Sequence, residues 1–174
     1  MRIAYIVPYV PNLIRTRSYN LINQLAFLGH EVVVFTLGSS KGDLIDAQSL
    51  KGHCCEVYYY AQPVWRSFLY SAAALPSRKP LQSVYSWQPA MARQIAQRAS
   101  RNEFDIVHIE HLRGSRFGLF LKSIFPNMPV VWDSVDCISH LFQQAAKQSR
   151  GFFGKFMARF ELSRTRRAEG DLAC

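Results

Sequence analysis

Apolar residues fall in short blocks separated by longer stretches with helical spacing. Arg2–Val7 (RIAYIV) is an apolar run of strand length. Pro8 and Pro11 end it, because proline lacks the N–H that a central strand needs. Leu21, Ile22, Leu25 and Leu28 then recur at helical spacing, and Gly29 stands where a left-handed helix end belongs. Glu31–Thr36 (EVVVFT) is a second β-branched run. Strand, helix and strand make a βαβ unit with a right-handed crossover. Strands this uniformly apolar are covered on both faces, as in parallel sheets.

The alternation continues. Gly38–Gly52 reads as a polar loop with a small apolar patch, and Cys54–Tyr60 as a third strand. Val64, Trp65, Phe68, Leu69 and Ala72 predict a helix over 63–75, stopped by Pro76–Pro80 (PSRKP). Met91, Ile95 and Ala99 predict another over 87–101, with Pro89 in its first turn. Asp105–Ile109 is the fourth strand, Leu112–Phe125 a helix and Val130–Trp132 the core of the fifth strand. Helices follow at 138–148 and 151–169. Asp171–Cys174 (DLAC) reads as the start of a sixth strand, so the chain is expected to be one domain, 1–174, cut within a longer pattern. The fold class is α/β: a doubly wound parallel sheet of order about 3-2-1-4-5.

Composition narrows the setting. Of 174 residues, 49% are apolar and 19% charged, which is globular. A formal net charge of +9 points to an anionic partner. No basic tract with interleaved aromatics occurs, so nucleic acid is not expected. Cys54, Cys55, Cys137 and Cys174 form no C-x-x-C pair, which fits a reducing cytoplasm and suggests neither a metal site nor a disulfide framework. No run is long enough to span a membrane.

In open α/β sheets ligands gather beyond the carboxyl ends of the strands, where strand order reverses. Strand 1 brings Asn12, Arg15 and Arg17 to that edge. Strand 4 brings Glu110, His111 and Arg113, and strand 5 brings Asp133, Ser134, Asp136 and Ser139. Arg15 or Arg17 suits a phosphate or hydroxyl. Glu110, Asp133 and Asp136 suit sugar-like hydroxyls. His111 suits proton transfer or hydrogen bonding. Asp136 is alternatively a helix N-cap, and His108, inside the strand, reads as a packing residue. Phe152, Phe153, Phe156, Met157 and Phe160 make an aromatic stripe among basic residues over Gly151–Arg167. That stripe either packs on the sheet or a neighbouring domain, or meets an anionic membrane.

These residues also carry a family resemblance. RIAYIVPYVP, LAFLGHEVVVFT, LPSRKPLQSVYSW, FDIVHIEHLRG and PVVWDSVDCISHLF occur in the order found in GT-B glycosyltransferases of family 4, the "glycosyl transferases group 1" type. The chain resembles their N-terminal, acceptor-side domain, and within the family the bacterial exopolysaccharide enzymes. The resemblance implies a Rossmann-like domain facing a donor-binding C-terminal domain, which would lie outside this sequence. It implies a retaining transfer from a nucleotide-sugar to a glycan or lipid-linked acceptor; no ligand cluster is visible in the sequence, so no metal or other cofactor is expected. The family's acid after strand 5 falls on Asp136, its histidine is not carried over, and His111, read from its place at the edge, is the other catalytic candidate. Asn12, Arg15, Arg17, Glu110, Arg113, Asp133 and Ser134 are the substrate-binding ones.

Two departures stand out. The first loop has no Gly-Gly pair, and Val135–Asp136 replaces the usual His-Asp. Glu161 and Glu169 match the spacing of the family's E-x7-E motif. They lie on an arginine-rich helix without the glycine-rich context, and are not read as that motif. The alternatives are a non-catalytic Rossmann-like module acting with a separate donor domain, or a glycan-assembly protein peripheral to the inner face of a membrane.

Overall fold

The computed structural model describes residues 1–54, 56–149 and 151–173. Five parallel strands form one sheet: β1 (Arg2–Val7), β2 (Glu31–Gly38), β3 (Glu56–Ala61), β4 (Ile106–Glu110) and β5 (Val130–Asp133). Their order is β3-β2-β1-β4-β5, so the direction of winding reverses between β1 and β4. The fold is Rossmann-like, as the alternation predicted.

Both faces of the sheet are buried. Ala4 and Ile6 of β1, with Val33 and Phe35 of β2, pack under α5 (Pro89–Ala99) and α6 (His111–Ile124). Tyr5 and Val7, with Val32 and Val34, face α1 (Thr16–Phe27), where Ile22 is fully buried. Period-two alternation therefore exists in β1 and β2, but both faces are apolar. Helix α6 lies close on β4. A Cβ on Gly114 or Gly118 would come within 2.8 or 2.4 Å of the buried Ile109 side chain. That close seat fixes the first turn of α6, and with it His111 and Arg113, against the reversal.

The 38–52 segment corrects an expectation. It holds helix α2 (Lys41–Ser49) and a 3-10 turn at Leu50–Gly52 in place of a loop. A capping box starts α2: Ser40 Oγ accepts the Asp43 N–H, and Asp43 accepts from the Ser40 N–H. Gly38 makes room for it, since a Cβ there would stand 2.6 Å from Asp43 Cβ and 2.5 Å from Tyr59 Cε2. Gly38→Ala is therefore expected to destabilise the fold by about 1–3 kcal/mol in urea titration, because neither α2 nor Tyr59 can yield without opening the other.

The remaining helices are α3 (Val64–Ala73), α4 (Leu81–Tyr85), α7 (Ile138–Gln148) and α8 (Phe152–Ala173). In α3, Trp65, Phe68 and Leu69 face outward. A second correction falls at the end of the chain. Residues 171–173 continue α8 and form no strand; Cys174 lies outside the described residues. Helix α8 does not cover the sheet. It pairs antiparallel with α7, Ser139 donating its N–H to Glu169 and Arg166 donating to Gln143. It is also bound to the 75–81 segment, where Glu161 accepts the Leu81 N–H and Arg164 donates to the Leu75 and Lys79 carbonyls. Glu161 and Glu169, the pair with E-x7-E spacing, are thus both tie-points of α8.

Candidate functional site

The carboxyl edge of the sheet divides the expected site residues into three groups. The first lies inside. Glu110, at the end of β4, is wholly buried. Its Oε2 accepts from the Tyr5 hydroxyl at 2.8 Å, and its Oε1 from Tyr9 at 2.7 Å and Ser18 at 2.8 Å. Arg17 stands 3.5 Å from the same Oε1 and donates to Asp133 at 2.6 Å. Asp133 also accepts the Val135 N–H. Burial and the Glu110 carboxylate push the Tyr5 hydroxyl far above the ordinary tyrosine range, and Tyr9 up to about 12, so both stay protonated donors. Glu110 therefore pins β1, α1 and β4 together, with both oxygens accepting hydrogen bonds from within the protein. Asp133 is likewise occupied.

Asn12 is engaged within its own loop and with α2. Its Oδ1 accepts the N–H groups of Ile14 and Arg15, and its Nδ2 donates to Asp46. It shapes the loop before α1.

The second group is strained. His111 and Val135 follow the paired ends of β4 and β5 (Glu110 opposite Asp133), with φ of 67° and 62°. For a β-branched valine this conformation costs about 1–2 kcal/mol. The strain turns the 134–136 segment, where the Asp136 N–H meets the Ser134 carbonyl, and leaves the Asp136 side chain exposed. Asp136 is not the cap of α7: Cys137 holds that position and its side chain makes no capping bond. The Ser139 N–H is taken by Glu169. His111 accepts the Arg113 N–H at Nδ1 (3.3 Å), which leaves the proton on Nε2. Burial, and then Arg113, depress its affinity for a second proton. His111 at neutral pH is therefore a neutral hydrogen-bond donor. His108 behind it stacks on Tyr5 and is held neutral by burial, in keeping with a packing role.

The third group lines a crevice of about 150 Å³ over the ends of β1, β2 and β3. Arg15 and Arg113 stand on it with Tyr9, Gln62, Tyr85 and Ser86. Arg15 lies over the Tyr9 ring, 5.1 Å from its centre, and 4.0 Å from Asp43. Gln62, only 5% exposed, follows β3. Its Nε2 donates to Ser67 Oγ and the Tyr85 carbonyl, while its buried Oε1 has no donor. A buried acceptor without a partner is costly, and at a crevice wall it suits a hydroxyl-bearing ligand. The expected set omits Gln62 because the edge rule was applied to strands 1, 4 and 5 alone; position directly after β3 is the signal that would have found it.

Among the described residues no group of three His, Cys, Asp or Glu is placed to hold a metal ion. No family model matches the chain, and no curated protein matches it significantly.

Proposed function

We propose that this chain is the acceptor-holding half of a retaining GT-B glycosyltransferase, transferring a sugar from a nucleotide-sugar to a glycan or lipid-linked acceptor. The observation that carries the reading is the crevice at the sheet's carboxyl edge, with the Gln62 oxygen lacking a donor between Arg15 and Arg113. An acceptor hydroxyl satisfies Gln62, and the two guanidiniums fix neighbouring oxygens. His111, whose Nδ1 accepts the Arg113 N–H, offers its Nε2 proton to the acceptor. Asp136, an exposed carboxylate after β5, takes up the acceptor proton. The donor diphosphate is met by a second domain, as the family resemblance implies.

The test is chemical-shift mapping of the labelled protein with a panel of methyl glycosides and oligosaccharides. At least one is expected to move Gln62, Tyr85, Arg113 and His111 together, and Arg113→Ala to weaken it by about tenfold, the scale of one charge-assisted hydrogen bond. Shifts confined to other surfaces, or none at millimolar sugar, refute the reading. With nucleotide-sugar added, the chain alone is expected to bind acceptor without turnover; detectable transfer would remove the need for a second domain.

A peripheral membrane position is the second reading. Phe152, Phe153 and Phe156 at the start of α8 are 88, 74 and 55% exposed. Sedimentation with anionic vesicles tests it. Among the described residues no helix is long and apolar enough to cross a membrane.

A further inference from the structure

A larger cavity, of about 580 Å³, lies between the 78–80 segment, Trp87, the middle of α6 and the last turns of α8. That volume is within the range of small-molecule sites. It shares no lining residue with the crevice. Its apolar walls are Pro80, Trp87, Leu119 and Phe120. Around them stand Arg78, Lys79, Arg116 and Arg167, against a single carboxylate, Asp171.

Among the described residues, none of these four cations forms an ion pair; those that do are Arg2, Arg15, Arg17, Arg98, Arg101, His108 and Arg164. Arg116 is the most telling. It is partly buried, with its guanidinium carbon 4.3 Å from the centre of the Trp87 ring. Burial pulls it below the ordinary arginine range. A partly desolvated cation without an ion pair is the kind of group that an incoming anion offsets.

The aromatic surface is already in use. Trp87 is packed by Arg116, by Phe117 at 5.1 Å and by Phe120 at 5.6 Å between ring centres. A nucleobase needs an open aromatic face to stack on, and the walls favour an aliphatic body. A neighbouring cavity of about 360 Å³ shares Lys79, Trp87 and Arg116 and continues along Ala73, Ala74 and Val84. Lys79 and Arg116 therefore stand beside apolar space on two sides.

We propose that this cavity binds an anionic amphiphile: an aliphatic chain ending in a phosphate monoester or carboxylate. The chain lies on Pro80, Leu119 and Phe120. The head sits on Arg116, with Arg78, Lys79 and Arg167 around it. The site is independent of the crevice and of glycosyl transfer.

Isothermal titration with decyl phosphate, kept below micelle formation, tests it. Decyl phosphate and decanoate are expected to bind, and decanol and inorganic phosphate to bind at least about tenfold more weakly, since each lacks half of the recognised chemistry. Uridine monophosphate is expected to do no better than inorganic phosphate. Arg116→Gln and Leu119→Glu are each expected to weaken decyl phosphate by about tenfold or more, and Arg159→Ala, outside the cavity, to leave it unchanged. Leu119 is 48% exposed, so Leu119→Glu keeps the test sound if Arg116→Gln unfolds. The proposal is overturned by decanol or uridine monophosphate binding as tightly as decyl phosphate, or by Leu119→Glu binding normally. Binding confined to phosphatidate vesicles, with no response to soluble decyl phosphate, overturns it as well.

Discussion

Glu110→Ala is expected to lower the unfolding free energy by about 3–5 kcal/mol, the cost of removing one partner from a buried charged network. The carboxylate is wholly buried and is the shared acceptor for Tyr5, Tyr9 and Ser18. Without it the Tyr5 hydroxyl, in a residue that is itself 0% exposed, is stranded, and a cavity opens at the reversal of the sheet. Glu110→Gln keeps the volume and one acceptor oxygen, and hydroxyl rotors can turn to accept from its amide; about 1–2 kcal/mol is expected. Urea titration with linear extrapolation measures both. Equal losses in the two variants would show that volume, not hydrogen bonding, is what Glu110 supplies.

The second large effect lies at the opposite, amino-terminal edge of the sheet. Arg98 is 8% exposed and meets both oxygens of Glu56 at 2.9 Å and Glu103 at 2.7 Å. It also lies between the rings of Tyr58 and Phe104, 5.2 Å from each centre. Arg98→Ala removes the pairing and the packing together and is expected to cost about 2–4 kcal/mol. The effect has a pH signature. Hydrogen bonds from Arg98 hold the Glu56 carboxyl at about 2, below its ordinary 4.5. A depressed carboxyl stabilises the fold above its unfolded value and loses that contribution as pH falls toward the folded one. The loss is therefore expected between about pH 4.5 and 2, and amounts to about 1–2 kcal/mol after discounting for the partial exposure of Glu56. Arg98→Ala should flatten this part of the stability curve. An unchanged acid slope in the variant would show that Arg2, the other arginine on Glu56, holds the carboxyl low by itself.

The sheet was legible because β1 and β2 are buried on both faces and carry long apolar runs, Ile3–Val7 and Val32–Phe35. Gly29, with φ of 84°, ends α1 where its position indicates. Helix α2 was hidden because only Ala47 on it is buried, so no apolar stripe marks it; the Ser40–Asp43 capping box was its one local signal. Residues 171–173 misled because so short an apolar piece suits a strand start or a helix end equally, and α8 simply runs on. At the site, the carboxyl-edge rule brought Arg15 and Arg113 to the crevice. It could not separate Glu110 from them. A carboxylate after an apolar strand reads as exposed, and the hydroxyls that bury it come from Tyr5, Tyr9 and Ser18, about ninety residues or more earlier in the chain. Whether an edge residue points inward is decided by such distant partners.

The most direct test of the crevice reading is a crystal structure with the tightest-binding oligosaccharide of the panel. The account predicts a sugar over the ends of β1, β2 and β3, with a hydroxyl at hydrogen-bond distance, about 2.7–3.0 Å, from Gln62 Oε1 and further oxygens on Arg15 and Arg113. A sugar bound elsewhere, with the Gln62 oxygen still lacking a donor, would contradict it.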